Sequence, residues 1–280
     1  MEILQIPALR APVMIAAFSG WNDAGEAATG AVNHLLSMWD NTVIANVDPE
    51  EFYDYQVNRP QVSIDGSKIR HLTWPGTEIT GVNSAELSFD LVIVKGIEPS
   101  MRWKSFVSEI LDLADDLEVS MIVTLGSLLA DTPHTRPISV TGSGSHPEVA
   151  KRLGMNVSRY QGPTGILGVI QDGAQKRGID AVSLWASIPH YASAAPSPKA
   201  SLALINGLED FLNISLDQGD LPDHARAWEI AVDEMASEDS DIAEYIKTLE
   251  ASKDETELPE ASGEAIAREF ERYLRRKNPD

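Results

Sequence analysis

The chain has 280 residues, 43% of them hydrophobic and 23% charged, with a mean hydropathy of -0.16; this suffices for one large core with an appendage and excludes an intrinsically disordered chain. A formal charge of -21, from 43 acidic against 22 basic side chains, repels phosphate backbones and anionic lipid heads, so neither nucleic acid nor membrane is an expected partner. The absence of cysteine removes disulfides, thiolate zinc sites and cysteine nucleophiles, and with neither a basic leader nor an apolar run near the ~20 residues that span a bilayer, a cytoplasmic location is expected.

In chain order, short β-branched runs alternate with amphipathic stretches, which predicts an α/β fold with a mixed, largely parallel sheet covered by helices. Strands are expected at Val13 to Phe18, Thr42 to Val47, Ile69 to Trp74, Leu91 to Val94, Met121 to Leu125 and Val182 to Ser187. Helical spacing joins Ala28, Val32, Leu35, Leu36 and Trp39 on one face, and Phe106, Ile110, Leu113, Ala114 and Leu117 on another. Ile166 to Ile170 reads as the buried start of a helix, and Ala200, Ala203, Leu204, Leu208 and Phe211 mark a further one.

A change of charge density near Asp217 divides a core domain, 1–216, from an acidic extension, 217–280, with 19 acidic and 8 basic side chains. There the period is helical only. Pro222 suits a first turn, Trp228, Ala231, Val232 and Met235 form a stripe, and Ile242, Ile246 and Leu249 resume after a break at Ser237 to Asp241. Ala251 to Ser262 has almost nothing to bury and reads as a linker. Ile266, Phe270, Tyr273 and Leu274 then make the face of a last helix. Both stripes are expected to dock on apolar surface while the acidic face stays in water.

Three loops could carry chemistry. Gly20-Trp21-Asn22-Asp23-Ala24-Gly25 lies between a strand and a helix, where open parallel sheets place ligands. Its glycines have Walker spacing, but Glu26 and Ala27 stand where a phosphate cradle needs Lys and Ser or Thr. A turn capped by Asn22 or Asp23 is the plainer reading, and Trp21 beside them the argument for binding. Thr141 to Glu148 reads as a capping box from Ser145 to Glu148 with Pro147 in the first turn. It is no G-x-S-x-G elbow.

None of the six histidines, His34, His71, His134, His146, His190 and His224, has metal-pair spacing, so no metal is expected. His134 and His190 each follow a strand and a proline, in P-H-T-R-P and P-H-Y. With Asp23 and Arg136 they supply an acid, a base and an anion clamp if they meet at one rim of the sheet; otherwise they tie loops together by hydrogen bonds. No nucleophile completes the set, and no cofactor is implied. The candidate binding residues are therefore Gly20, Trp21, Asn22, Asp23, His134, Arg136, His190 and Tyr191.

Taken in order, F-S-G-W-N-D-A-G at Phe18 to Gly25, P-H-T-R-P at Pro133 to Pro137, Y-Q-G-P-T-G at Tyr160 to Gly165 and P-H-Y at Pro189 to Tyr191 resemble the proteasome assembly chaperone 2 family in its actinobacterial branch. The likeness covers roughly residues 1–215. It implies a three-layer αβα sandwich similar to the nucleoside phosphorylases, plus the C-terminal helical extension. It also implies a homo-oligomer, a trimer in the first instance, and a protein partner in an assembly role. Relatives in other lineages dock on proteasome rings, some through a hydrophobic-Tyr-any ending, from which Lys277-Asn278-Pro279-Asp280 departs. The alternative is an enzyme or small-molecule receptor using a phosphorylase-like pocket.

Overall fold

The computed structural model describes residues 1–257, 271–272 and 274–276. The elements run β1 (Glu2–Ile3), β2 (Val13–Ser19), α1 (Ala27–Met38), β3 (Asn41–Val47), α2 (Pro49–Phe52), β4 (Gln61–Ile64), β5 (Arg70–Thr73), β6 (Thr77–Val82) and β7 (Leu91–Ile97). They continue with α3 (Trp103–Asp116), β8 (Met121–Ala130), β9 (Val140–Gly144), α4 (Pro147–Arg152), β10 (Asn156–Val157), α5 (Ile166–Arg177), β11 (Asp180–Pro189), α6 (Pro198–Leu212), α7 (Leu221–Ser237) and α8 (Ser240–Glu257). Among the described residues, nine strands form one mixed sheet in the order β1-β3-β6-β7-β2-β8-β11-β9-β10, while β4 and β5 pair only with each other. The expected class, a mixed α/β sheet fold with C-terminal helices, is what the chain adopts.

Two compact units share the chain. The first comprises Met1–Asn22, Trp39–Leu125 and Ser143–Ser183. Its β2 runs parallel to β7 and β8, and β7, β6, β3 and β1 continue as an antiparallel ladder. Met14 to Phe18 are buried without alternation, as expected of a strand covered on both faces. Helix α3 buries Phe106, Ile110, Leu113 and Ala114. The Phe106 ring meets Phe18 at 5.8 Å and Phe52 at 5.3 Å, both edge-on.

Strands β4 and β6, whose apolar residues are too few to form a run, and the short β1, β9 and β10 escape the run-length criterion that finds the other strands. One cap also differs from expectation. His146, not Ser145, precedes α4, and its Nδ1 accepts the Glu148 amide at 3.3 Å; with Pro147 as the first helical residue, the cap position belongs to the residue just before it.

The second unit comprises Asp23–Met38, Gly126–Gly142 and Leu184–Asp280. Helices α1, α6, α7 and α8 belong to it, and α6 packs against both α1 and α7. Ala28, Val32 and Leu35 of α1 are buried, as are Ala200, Leu204 and Leu208 of α6.

The extension departs from expectation in three ways. On α7 the buried line is Ala225, Val232 and Ala236, with Trp228 half-buried, while Ala231 and Met235 face outward; the stripe is rotated because small residues let the helix sit close. Ile246 and Leu249 of α8 are buried as expected. Helix α8 then continues through Ala251 to Glu257, where a linker is expected. Of that linker, 258–262 lies outside the described residues, as do Ile266, Phe270, Tyr273 and 277–280 of the last helix. Leu274 is exposed, and Arg275 and Arg276 bind α6 through Asp210 at 3.1 Å and Glu209 at 3.0 Å.

Candidate functional site

In the first unit, the chain leaves β2 through Gly20, whose φ of 122° only glycine adopts without strain. Beyond it, Asn22 Nδ2 donates to Glu98 Oε1 at 2.7 Å. The Ile166 amide at the start of α5 donates to the same oxygen at 2.8 Å, so Glu98 satisfies an orphan helix donor and places its charge at the positive end of the dipole. A Cβ at Gly165 would lie 2.2 Å from Asn22 Nδ2, which demands glycine there. Trp21, at the tip, is 63% exposed.

Asp23 belongs to the second unit and works as a helix cap. Its Oδ1 accepts the Ala28 amide at 2.7 Å and the Ser127 hydroxyl at 3.4 Å, and its Oδ2 accepts the Thr29 hydroxyl. Burial pushes the Asp23 carboxyl above its ordinary value, against the hydrogen bonds of Thr29 and the Ala28 amide.

The other four candidates meet in that unit, where β8 and β11 give way to loops. His134, 1% exposed, lies between two partners: its Nε2 is 2.9 Å from Asp233 Oδ1 on α7, and its Nδ1 is 2.8 Å from the Tyr191 hydroxyl. A carboxylate only accepts, so Nε2 donates to Asp233, and the tautomer with its single proton there leaves Nδ1 to accept from the Tyr191 hydroxyl. The His134 amide donates to the same Tyr191 oxygen at 2.7 Å. The carbonyl of His134 accepts from Lys199 Nζ, which also donates to Glu229 on α7 at 2.5 Å.

Next along the loop, the Thr135 hydroxyl donates to Glu250 on α8. Arg136 grips Asp254 through two hydrogen bonds of 2.8 and 2.9 Å. The pairing raises the Arg136 guanidinium and holds the Asp254 carboxyl below its ordinary value. His190 Nδ1 lies 3.3 Å from Asp131, which accepts the Tyr245 hydroxyl of α8 at 3.0 Å. Edge-on rings complete the cluster: Tyr245 stands 5.5 Å from His190 and 6.3 Å from Tyr191, and Trp228 stands 6.5 Å from His134.

A hydroxyl, an imidazole and a carboxylate in line suggest an activated nucleophile, but the electrostatics run the other way. Burial, ahead of nearby Glu250 and Asp233, pushes the Tyr191 phenol up to about 12, so it stays protonated at neutral pH. Sequence reasoning named the four loop residues and missed Trp228, Asp233, Tyr245, Glu250 and Asp254, all in the extension. Glu98 was missed as well; its place just after the Leu91 strand, in Gly96-Ile97-Glu98-Pro99, was the available signal. Among the described residues no group of three or more His, Cys, Asp or Glu side chains could hold a metal, and no helix is long and apolar enough to cross a membrane.

The model of the PAC2 family matches residues 17–236. This chain belongs to the PAC2 family. Among solved structures, a PAC2 family protein from Streptomyces avermitilis is 51% identical, with a TM-score of 0.78, over 84% of this chain and 99% of that one. A proteasome-assembly chaperone homologue from Mycobacterium tuberculosis is 45% identical, with a TM-score of 0.76 and the same coverage. An archaeal proteasome activator from Pyrococcus furiosus, 18% identical at a TM-score of 0.65, covers 83% of this chain and 96% of its own and shares the fold. No curated protein matches.

Proposed function

We propose that this PAC2 protein is a non-catalytic, cytoplasmic assembly factor that binds a protein partner and associates with copies of itself, with three copies as the first expectation. The observation that carries the reading is the occupation of the polar cluster from within. His134, Arg136 and Tyr191 are each bonded to residues of the same unit, so the groups a small-molecule site would use instead hold α7 and α8. In this reading 1–216 is the core and 217–280 an extension whose α7 and α8 brace the His134 loop. The partner-facing residue of the Gly20 to Asp23 loop is Trp21, because exposed tryptophans on rigid loops make strong anchors.

Family membership and the homologue named for proteasome assembly support a proteasome subunit as the partner class. The test is to mix the purified chain with proteasome α and β subunits and follow ring assembly by native mass spectrometry. A stoichiometric complex that Trp21→Ala weakens at least about tenfold is expected. No complex with either subunit, together with a metabolite that raises the melting temperature, would overturn the reading in favour of a small-molecule receptor.

A further inference from the structure

Among the described residues the β4–β5 hairpin lies outside the main sheet, with Trp74 at its end packed against Tyr55 at 4.9 Å between ring centroids. Its register sets Val62 opposite Leu72 and Ile64 opposite Arg70. Since side chains alternate along a strand, Val62, Ile64, Leu72 and Arg70 share one face, and Gln61, Ser63, His71 and Thr73 the other. That is the pattern of a sheet with one buried face, yet Ile64 is 69% and Leu72 49% exposed, and Val57 and Trp74, at the two ends of the hairpin, are 74% and 48% exposed. A two-stranded sheet whose apolar face is this exposed is marginal in water. Each strand also keeps one edge outside the ladder, since β4 and β5 pair only with one another among the described residues.

Charge decides what covers this face. Residues 57–74 carry three basic side chains, Arg59, Lys68 and Arg70, against Asp65 alone, in a chain of net charge -21. The turn spends its one acid internally: Asp65 accepts the Ser67 and Ile69 amides at 2.9 Å each and pairs with His71 at 2.9 Å. An apolar, basic hairpin on an acidic protein repels another hairpin like itself and attracts the remainder of another copy. A face-to-face two-fold contact between hairpins is therefore disfavoured. A head-to-tail contact, hairpin to acidic surface, is favoured, and such contacts close into rings when the rotation allows.

We infer that the β4–β5 hairpin is the self-association element of this protein, docking by Val62, Ile64 and Leu72, with Lys68 and Arg70, onto the acidic surface of a second copy. The inference rests on the self-association in the proposed function and names the surface that carries it.

Sedimentation velocity and mass photometry of the full chain at micromolar concentration test it, with Ile64→Asp and Lys68→Glu/Arg70→Glu as variants. All these side chains are exposed, so circular dichroism and melting temperature should match wild type. The expected result is an oligomeric wild type, a monomeric Ile64→Asp, and a dissociation constant raised about tenfold or more by the charge reversal. A monomeric wild type would overturn self-association itself. Variants that keep the wild-type mass would overturn only the hairpin contact, and if they also lose proteasome subunits, the hairpin is the partner's surface. An Ile64→Asp monomer beside a fully associated charge reversal would refute the acidic head-to-tail docking.

Discussion

Helices α3 and α8 are held in place by opposite means. Helix α3 buries Phe106, Ile110, Leu113 and Ala114 in the first unit, with Phe106 wedged edge-on against Phe18 and Phe52. Helix α8 buries Ile246 and Leu249 and then relies on polar side chains: Glu250, Lys253 and Asp254, spaced i, i+3 and i+4, reach Thr135, Ser139 and Arg136. Apolar burial announces itself in sequence by its period. A helix turn held by ion pairs and hydrogen bonds looks, in sequence, like a solvated linker.

The largest effect expected from breaking this contrast is removal of the extension. Truncation after Asn213 strips α7 and α8 from the His134 loop and should lower solubility or change the number of copies per particle seen in size-exclusion chromatography with light scattering. A truncated chain of unchanged copy number, solubility and melting temperature would mean the extension braces nothing. Phe106→Ala comes next, with a loss of about 3–5 kcal/mol in urea unfolding, because a large ring leaves a cavity among two others. His134→Ala should cost less, about 1–3 kcal/mol, by leaving the Tyr191 hydroxyl without its acceptor and removing a buried ring. If it costs as much as Phe106→Ala, polar and apolar docking are not distinct here.

Two pH experiments sharpen the contrast further. Tyr191 is raised from 10.0 to about 12 in the fold, so its contribution is complete below pH 10 and is lost as pH rises through about 12. Wild type should lose stability over that range more steeply than Tyr191→Phe; parallel curves would show the phenol to be solvated. Tyr53, raised to about 12 by burial, is common to both proteins and cancels. At the acid end, Asp254 is held below its ordinary 3.8 by Arg136, so the pair contributes fully above that value and fades as pH falls through the folded one. The small urea-midpoint difference between wild type and Arg136→Leu should vanish there, and a difference that persists would assign Arg136 a packing role.

Much of the candidate site was legible, though not its use. The Pro-His pairs marked His134 and His190 as residues at strand ends, and the Gly20 loop showed both its strained glycine and a capping acid. Hidden were the partners. Asp233 and Tyr245 are unremarkable members of acidic helices, and only the long-range return of α7 and α8 over the loops, 99 residues apart for His134 and Asp233, makes them ligands of the histidine and of Asp131.

By itself the sequence determined the α/β class, the strands rich in β-branched residues, the apolar faces of α1, α3, α5 and α6, and the family, because period and loop motifs are local properties that burial only ratifies. Tertiary structure alone decided which face of α7 turns inward and whether 251–257 stays helical. It also decided which distant side chains the four polar loop residues bond, and whether the Val62 and Leu72 strands join the main sheet or stand exposed. Each of these turns on a group far away in sequence supplying a charge, a hydrogen bond or a covering surface, and no local pattern records where that group will be.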